Sequence, residues 1–190
     1  VSGTQEGSPI VTDRNGRLLR PFTTADGRWK LPVSASEVDP SYLALLKAYE
    51  DQRFERHSGI DWRAMARAAG QWLRSGGIVS GGSTLTMQVA RILDGGDTRS
   101  VAGKLRQVAR ALQLEARLSK DQILQLYLER APFGGAIEGV EAASWAYLGK
   151  PASGLSHAEA ALLAVLPQAP SRLRPDRHPD QARSARDKVL

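Results

Sequence analysis

The chain has 190 residues, 42% of them hydrophobic and 24% charged, with a net charge of +6. That is a globular composition, long enough to bury a real core, and its basic surplus favours a phosphate-rich partner such as nucleic acid, anionic lipid or a pyrophosphate. The lack of cysteine excludes disulfides, thiolate zinc sites and cysteine nucleophiles, and no apolar run reaches the length of a bilayer-spanning helix.

Residues 1–9 lack the basic and then apolar order of a signal peptide and read as a linker or a cloning remnant. Ile10-Val11-Thr12-Asp13 and Arg17-Leu18-Leu19 flank Arg14-Asn15-Gly16, and Asn-Gly is a strong hairpin-turn signal. Asp26-Gly27 before Arg28-Trp29-Lys30-Leu31 is a second turn signal, so residues 10–33 are expected to form a small antiparallel element. From Ser41 the period becomes helical, with Asp39-Pro40 at the start. Further helices are expected at about 61–75, 83–93, 99–117, 119–129, 138–148 and 156–166, separated by Gly- or Pro-rich breaks such as Pro132-Phe133-Gly134-Gly135. Ser119 with Gln122, and Ser156 with Glu159, have capping-box spacing. The predicted architecture is mainly α, a helical body over 38–190 behind a β element over 10–37. The chain stops within a helical pattern, as a piece of a longer protein would.

Four segments carry residues suited to chemistry. In Glu50-Asp51-Gln52-Arg53-Phe54-Glu55-Arg56-His57, helical spacing sets Leu46, Glu50, Phe54 and His57 on one side. A carboxylate between Leu46 and Phe54 is desolvated, which suits a general base. Asp51 is turned away by about 100° and shares a cleft with Glu50 only if the helix frays. The bland alternative is a charged helix end. In Gly81-Gly82-Ser83-Thr84-Leu85-Thr86-Met87-Gln88, flexible backbone leads into a helix start, where N–H groups and the helix dipole suit an oxyanion or phosphate. Ser83 stands where a P-loop needs Lys, so nucleoside triphosphate binding is excluded. The bland alternative is an N-capped helix after a flexible loop, but Ser83, Thr84, Thr86 and Gln88 are more hydroxyl and amide groups than a cap needs.

The third segment is the basic helix from Arg99 to Lys120, an amphipathic core helix whose cations include Lys104, Arg106 and Lys120; one or two of them could clamp phosphate. The fourth runs from Arg130 through Gly139-Val140-Glu141-Ala142-Ala143-Ser144, where small residues signal close packing and Glu141 is the exception. The three histidines have no ligand spacing, which speaks against a structural zinc site, while a divalent cation bridging a pyrophosphate to Asp or Glu stays open, since such cations need few protein ligands.

In order, these motifs resemble the peptidoglycan glycosyltransferases of family 51, found in class A penicillin-binding proteins and in monofunctional transglycosylases. The resemblance rests on Glu50-Asp51-x-x-Phe54-x-x-His57-x-Gly59, Gly81-Gly82-Ser83-Thr84-x-Thr86-x-Gln88, the basic segment around Lys104, Lys120-x-x-Ile123-Leu124-x-x-Tyr127-Leu128, and Pro132-Phe133-Gly134 with Gly139-Val140-Glu141-Ala142-Ala143-Ser144. It implies a lysozyme-like α fold and polymerisation of lipid II into β-1,4 glycan, with inversion and release of undecaprenyl pyrophosphate. Glu50 matches the family's general base. Asp51, Phe54, His57, Gly82, Ser83, Thr84, Thr86, Gln88, Lys104, Arg106, Lys120 and Glu141 are then expected around substrate and pyrophosphate, with Gln107 as the second catalytic position.

The family's third motif, Arg-Lys-x-x-Glu, reads here as Gly103-Lys104-Leu105-Arg106-Gln107, and Glu129 stands where Asn is usual after Tyr-Leu. Gln107 is neutral where the family has Glu, so no cofactor is required by this reading, and a bridging Mg2+ or Mn2+ is disfavoured. Arg106 is a candidate to compensate for the lost charge. The resemblance further implies a membrane-facing jaw at about 60–80, containing Met65, Trp72, Leu73, Ile78 and Val79. It places the domain at the periplasmic face of the bacterial inner membrane, with the anchor absent from this chain. Its partners would be lipid II, the growing glycan and a linked transpeptidase domain, with no nucleic acid. The rival readings are a lysozyme-like lytic transglycosylase or hydrolase acting on finished glycan, and a non-enzymatic basic module binding nucleic acid, for which no motif speaks.

Overall fold

The structure is a computed structural model, and it describes residues 7–15, 18–75, 82–95 and 100–190. The chain divides into two compact units, one of residues 1–45 with 128–190 and one of residues 46–127. The described residues hold eight α-helices and five short strands, the mainly α architecture that was expected.

In the first unit, β1 (Ile10–Thr12) and β2 (Leu18–Pro21) pair antiparallel, as the turn signal required. The Asp13 carboxylate accepts from the Asn15 amide at 2.9 Å, which folds the chain back locally. The second turn signal does not extend this hairpin. β3 (Trp29–Lys30) lies instead parallel to β5 (Ile137–Glu138), and β5 pairs antiparallel with β4 (Pro132–Gly134). The single antiparallel element expected over 10–33 is therefore two sheets, and the Pro-Phe-Gly-Gly break is partly strand. Two- and three-residue strands show no period of two, so their partners are chosen by chain closure rather than by local pattern.

The rest of this unit is helical. Gly139 precedes α6 (Val140–Leu148) at φ +85°, where a Cβ would lie 2.7 Å from the Glu129 carbonyl oxygen, so no other residue fits. Ser156 and Glu159 form the expected capping box of α7 (His157–Val165). α8 (Pro179–Arg186) then packs on α7.

Lys150 lies 2.6 Å from Glu159, and hydrogen bonding from Lys150 and then Ser156 lowers the Glu159 carboxyl to about 2 from 4.5. A depressed folded-state value stabilises the fold above pH 4.5, and that stabilisation is lost as pH falls towards 2. We therefore expect Glu159→Gln to lower the melting temperature at pH 7 and to melt like the parent near pH 2. An equal difference at both pH values would show that the ion pair does not contribute.

The second unit starts at the end of α1 (Pro40–Glu50), which continues the helical run predicted from Ser41. The helix stops at Glu50, and a turn leads into one 3₁₀ turn at Phe54–Arg56. The predicted helical side holding Leu46, Glu50, Phe54 and His57 thus ends at Glu50. α2 (Trp62–Ser75) follows, and then α3 (Leu85–Asp94) and α4 (Val101–Glu115) pack together through Met87, Ala90 and Ala111. The fully buried Met87 side chain contributes about 1.5–3 kcal/mol, and the two alanines let the helices approach closely. α5 (Lys120–Arg130) begins with the expected capping box, since the Ser119 amide donates to Gln122 at 2.9 Å and the Gln122 amide to Ser119 at 3.2 Å. Of the predicted jaw, residues 76–80, with Ile78 and Val79, lie outside the described residues.

Candidate active site

All the candidate residues except Glu141 fall in the second unit. Glu50 closes α1 at the wall of a polar cleft of about 330 Å³ that is also lined by Asp51, Arg53, Arg67, Gly82 and Ser83. Its Oε2 accepts from the Gln88 side-chain amide at 2.7 Å. Gln88 lies on the first turns of α3, so that helix orients the carboxylate. Glu50 and Asp51 do line one cleft, because the helix ends between them instead of carrying Asp51 to another face.

Asp51 is nevertheless bound into the protein. It is buried, and both its carboxylate oxygens lie 2.9 Å from His57 Nε2. Oδ2 also accepts from the Leu85 amide at 3.0 Å. His57 Nδ1 accepts from the Gly59 amide at 3.1 Å. An amide can only donate, so Nδ1 holds a lone pair and Nε2 carries the proton given to Asp51. Thr84 caps α3 by accepting from the Met87 amide at 3.1 Å, and its hydroxyl donates to the Gly59 carbonyl at 2.6 Å. The positive end of α3, expected to cradle phosphate, is therefore taken by a carboxylate of the protein itself.

A second set of candidates braces this motif. Phe54 is buried, with the Lys120 ammonium 4.6 Å from its ring centre. Lys120 Nζ donates to Glu115 at 2.6 Å and to the His57 carbonyl at 2.7 Å, and Thr86 donates to the same Glu115 oxygen at 2.6 Å. Phe54, Thr86 and Lys120 thus hold the loop of His57 against α4 and α5. Gly59 sits at φ +88°, and a Cβ there would lie 3.0 Å from the Ala111 carbonyl. Glu115, the hub of these bonds, was not among the sequence candidates. The Lys120 cation five residues on, across the helix break, was its one signal.

The cationic part of the site is built by α4. Lys104 Nζ donates to Ser83 Oγ at 2.7 Å and to Gln107 Oε1 at 2.9 Å. Burial, and then the nearby Arg91 charge, hold the Lys104 ammonium below its ordinary pKa. Because Ser83 Oγ accepts from lysine, its own proton can be given elsewhere. Among the described residues no third partner of Lys104 is seen, so lysine and serine together can donate to an anion. Gln107 is buried, and its amide nitrogen donates to the Met87 carbonyl at 2.6 Å. Arg106 is exposed. It stands two residues from Lys104 and one from Gln107, off the helical face that those two share.

The sequence reading also missed Arg53, Asp61 and Arg67 in the cleft. Arg53 bonds Asp61 at 3.1 Å, and Asp61 accepts from the first amides of α2, Arg63 at 3.0 Å and Ala64 at 3.1 Å. Burial pushes the Asp61 carboxyl up, but the Ala64 amide, the Arg53 charge and the Arg63 amide outweigh it and hold it below the ordinary range. Glu141 belongs to the first unit, where it accepts from Trp145 Nε1 at 2.8 Å and from the Ala152 amide at 2.9 Å.

A divalent cation would need anionic oxygens. No group of three His, Cys, Asp or Glu suited to a metal occurs among the described residues. Gln107 is neutral and its oxygen already faces an ammonium. That donor set does not fit such an ion.

A helical unit that sets one carboxylate and a cation-backed hydroxyl along a single polar cleft suits group transfer away from an anionic leaving group. The transglycosylase family model matches residues 15–190, and the chain belongs to that family, the peptidoglycan glycosyltransferases to which the motif order pointed. It is 58% identical to penicillin-binding protein 1C of Escherichia coli (strain K12) over 95% of this chain and 23% of that protein. It is 38% identical to penicillin-binding protein 1A of Pseudomonas aeruginosa, over 95% of this chain and 22% of that protein, and 36% identical to penicillin-binding protein 1F of Bacillus subtilis (strain 168), over 96% and 25%. The chain spans about a quarter of the length of these curated relatives. A crystal structure of penicillin-binding protein 1A from Haemophilus influenzae aligns over 92% of this chain and 16% of its own, with 19% identity and a TM-score of 0.48.

Proposed function

We propose that this domain polymerises lipid II, with Glu50 as general base. The Glu50 carboxylate takes the proton of the acceptor 4-hydroxyl as that oxygen attacks the anomeric carbon of the pyrophosphate-linked glycan. The bond to the pyrophosphate oxygen breaks, its electron pair leaves with the lipid pyrophosphate, and the configuration inverts to β-1,4. Lys104 and the Ser83 hydroxyl offset the charge that gathers on the leaving group. The supporting observation is that Glu50 and Ser83 line one cleft while Lys104 Nζ sits 2.7 Å from Ser83. A hydrolase or lytic enzyme has no use for that cation.

The donor and acceptor lipids place the domain against the periplasmic face of the inner membrane, with α2 towards lipid and a transpeptidase domain in the same full-length protein. A net charge of +6 and the 64% exposure of Trp62 on α2 agree with this placement. No helix among the described residues is long and apolar enough to cross a membrane.

The test is labelled lipid II in detergent micelles, with chain lengths resolved on a gel. We expect polymer from the parent and a loss of about 10²- to 10³-fold from Lys104→Met, the scale for removing one charge-stabilising donor. Because the Lys104 pKa is lowered, the alkaline limb of the parent's rate should begin below the value of a free lysine, the rate falling as the ammonium deprotonates. Cleavage of isolated sacculi without polymer would favour the lytic reading instead.

A further inference from the structure

We propose that Gln107 is a positioning residue that fixes Lys104 as the resident cation for a pyrophosphate group, and that this site is built for an amide and not for a carboxylate. The inference rests on the polymerase reading only for the identity of the leaving group. The amide is used at both ends: its nitrogen donates to the Met87 carbonyl at 2.6 Å, and its oxygen accepts from Lys104 Nζ at 2.9 Å. The two bonds need opposite polarities, and a primary amide is the one neutral side chain of this length that supplies both. Gln107 has no proton to exchange, so it is neither acid nor base.

A carboxylate at the same place would set an anionic oxygen 2.6 Å from the Met87 carbonyl oxygen. Both are acceptors, so the side chain would have to turn away or take up a proton. The charge it brought would also pair with Lys104 directly and draw the ammonium from an incoming anion. Lys104 and Gln107 lie three residues apart on one face of α4, while Met87 belongs to α3. Gln107 thus ties the packing of the two helices to the position of the cation, and Ser83 receives the other side of the same ammonium at 2.7 Å.

The probe is inorganic pyrophosphate, with binding to the whole domain measured by calorimetry in EDTA and again in excess Mg2+. Lys104 is followed by NMR of labelled lysine across the alkaline range. We expect the parent to bind in EDTA, Gln107→Ala to bind about tenfold more weakly, and Gln107→Glu to lose at least as much. Gln107→Glu should raise the Lys104 titration midpoint, since it adds a negative charge beside the ammonium, and Gln107→Ala should lower it, since it removes an acceptor. A role confined to packing would change melting temperature and leave the affinity of the folded fraction and the lysine midpoint unmoved; that result overturns the proposal. So does a Gln107→Glu variant that binds pyrophosphate or polymerises lipid II as well as the parent. If the parent itself polymerises no lipid II while pyrophosphate binding still depends on Lys104 and Gln107, the polymerase reading fails and this one stands.

Discussion

Replacing Glu50 by Gln is expected to remove lipid II polymerisation by about 10²- to 10⁴-fold, the usual range for a general base, and to leave the fold intact. The substitution keeps the shape of the side chain. Its oxygen can still accept from the Gln88 amide, which now lies 2.7 Å from Glu50 Oε2. What disappears is the ability to take a proton from the acceptor hydroxyl. The measurement is single-turnover extension of labelled glycan, with thermal melting as the control. A second substitution separates chemistry from placement. Glu50→Asp keeps the carboxylate but withdraws it by a methylene, and a displacement near 1 Å can by itself cost about 10²-fold. Polymerisation by Glu50→Gln within tenfold of the parent, at equal stability, would mean that the base is elsewhere.

The second large effect is on stability. Asp51→Ala should cost about 2–6 kcal/mol, since it leaves two buried donors unsatisfied at about 1–3 kcal/mol each. For a domain of this size that lowers the melting temperature by on the order of 10 °C. The Asp51 and His57 side chains are 2% and 5% exposed, and the carboxylate receives His57 Nε2 and the Leu85 amide. Truncation leaves both buried donors without their protein acceptor, and it takes a negative charge from the start of α3. Asp51→Asn should fall between, since one oxygen remains but the new NH2 meets either the histidine or the amide donor. Chemical denaturation of the three proteins checks the order. A loss below about 1 kcal/mol for Asp51→Ala would show that this carboxylate serves substrate and not the fold.

Much of the architecture was legible because helices announce themselves locally. Asp39-Pro40 opened α1, Ser119 and Ser156 capped α5 and α7, and the expected boundaries of α2 to α7 lie close to those observed. The hairpin of β1 and β2 was legible for the same reason, a turn dipeptide between two short apolar runs. The β3 pairing was not. Trp29 and Lys30 pair with Ile137 and Glu138, far along the chain, and so short a strand carries no signal of its partner. The capping box of Ser34 and Glu37 was written in the sequence and passed over.

In the site, residue types drew attention to Glu50, Ser83 and Lys104, because a base needs a carboxylate and a leaving anion needs a cation and hydroxyl donors, whereas the base role of Glu50 and the choice of Gln107 came from the order of motifs that carries the family resemblance. The same reasoning could not distribute the labour among them. Asp51, Thr84, Thr86 and Lys120 are as polar as their neighbours, yet they spend their bonds on Leu85, Gly59, Glu115 and the His57 carbonyl. The sequence alone therefore determined the helical class, the family and the inventory of reactive groups, since these depend on local periodicity and on motifs short enough to read. Only the tertiary structure decided which polar groups face the cleft and which are consumed as braces, and that Gln107 holds Lys104. A hydrogen bond is set by distance and direction across elements that meet in space, and no spacing along the chain encodes either.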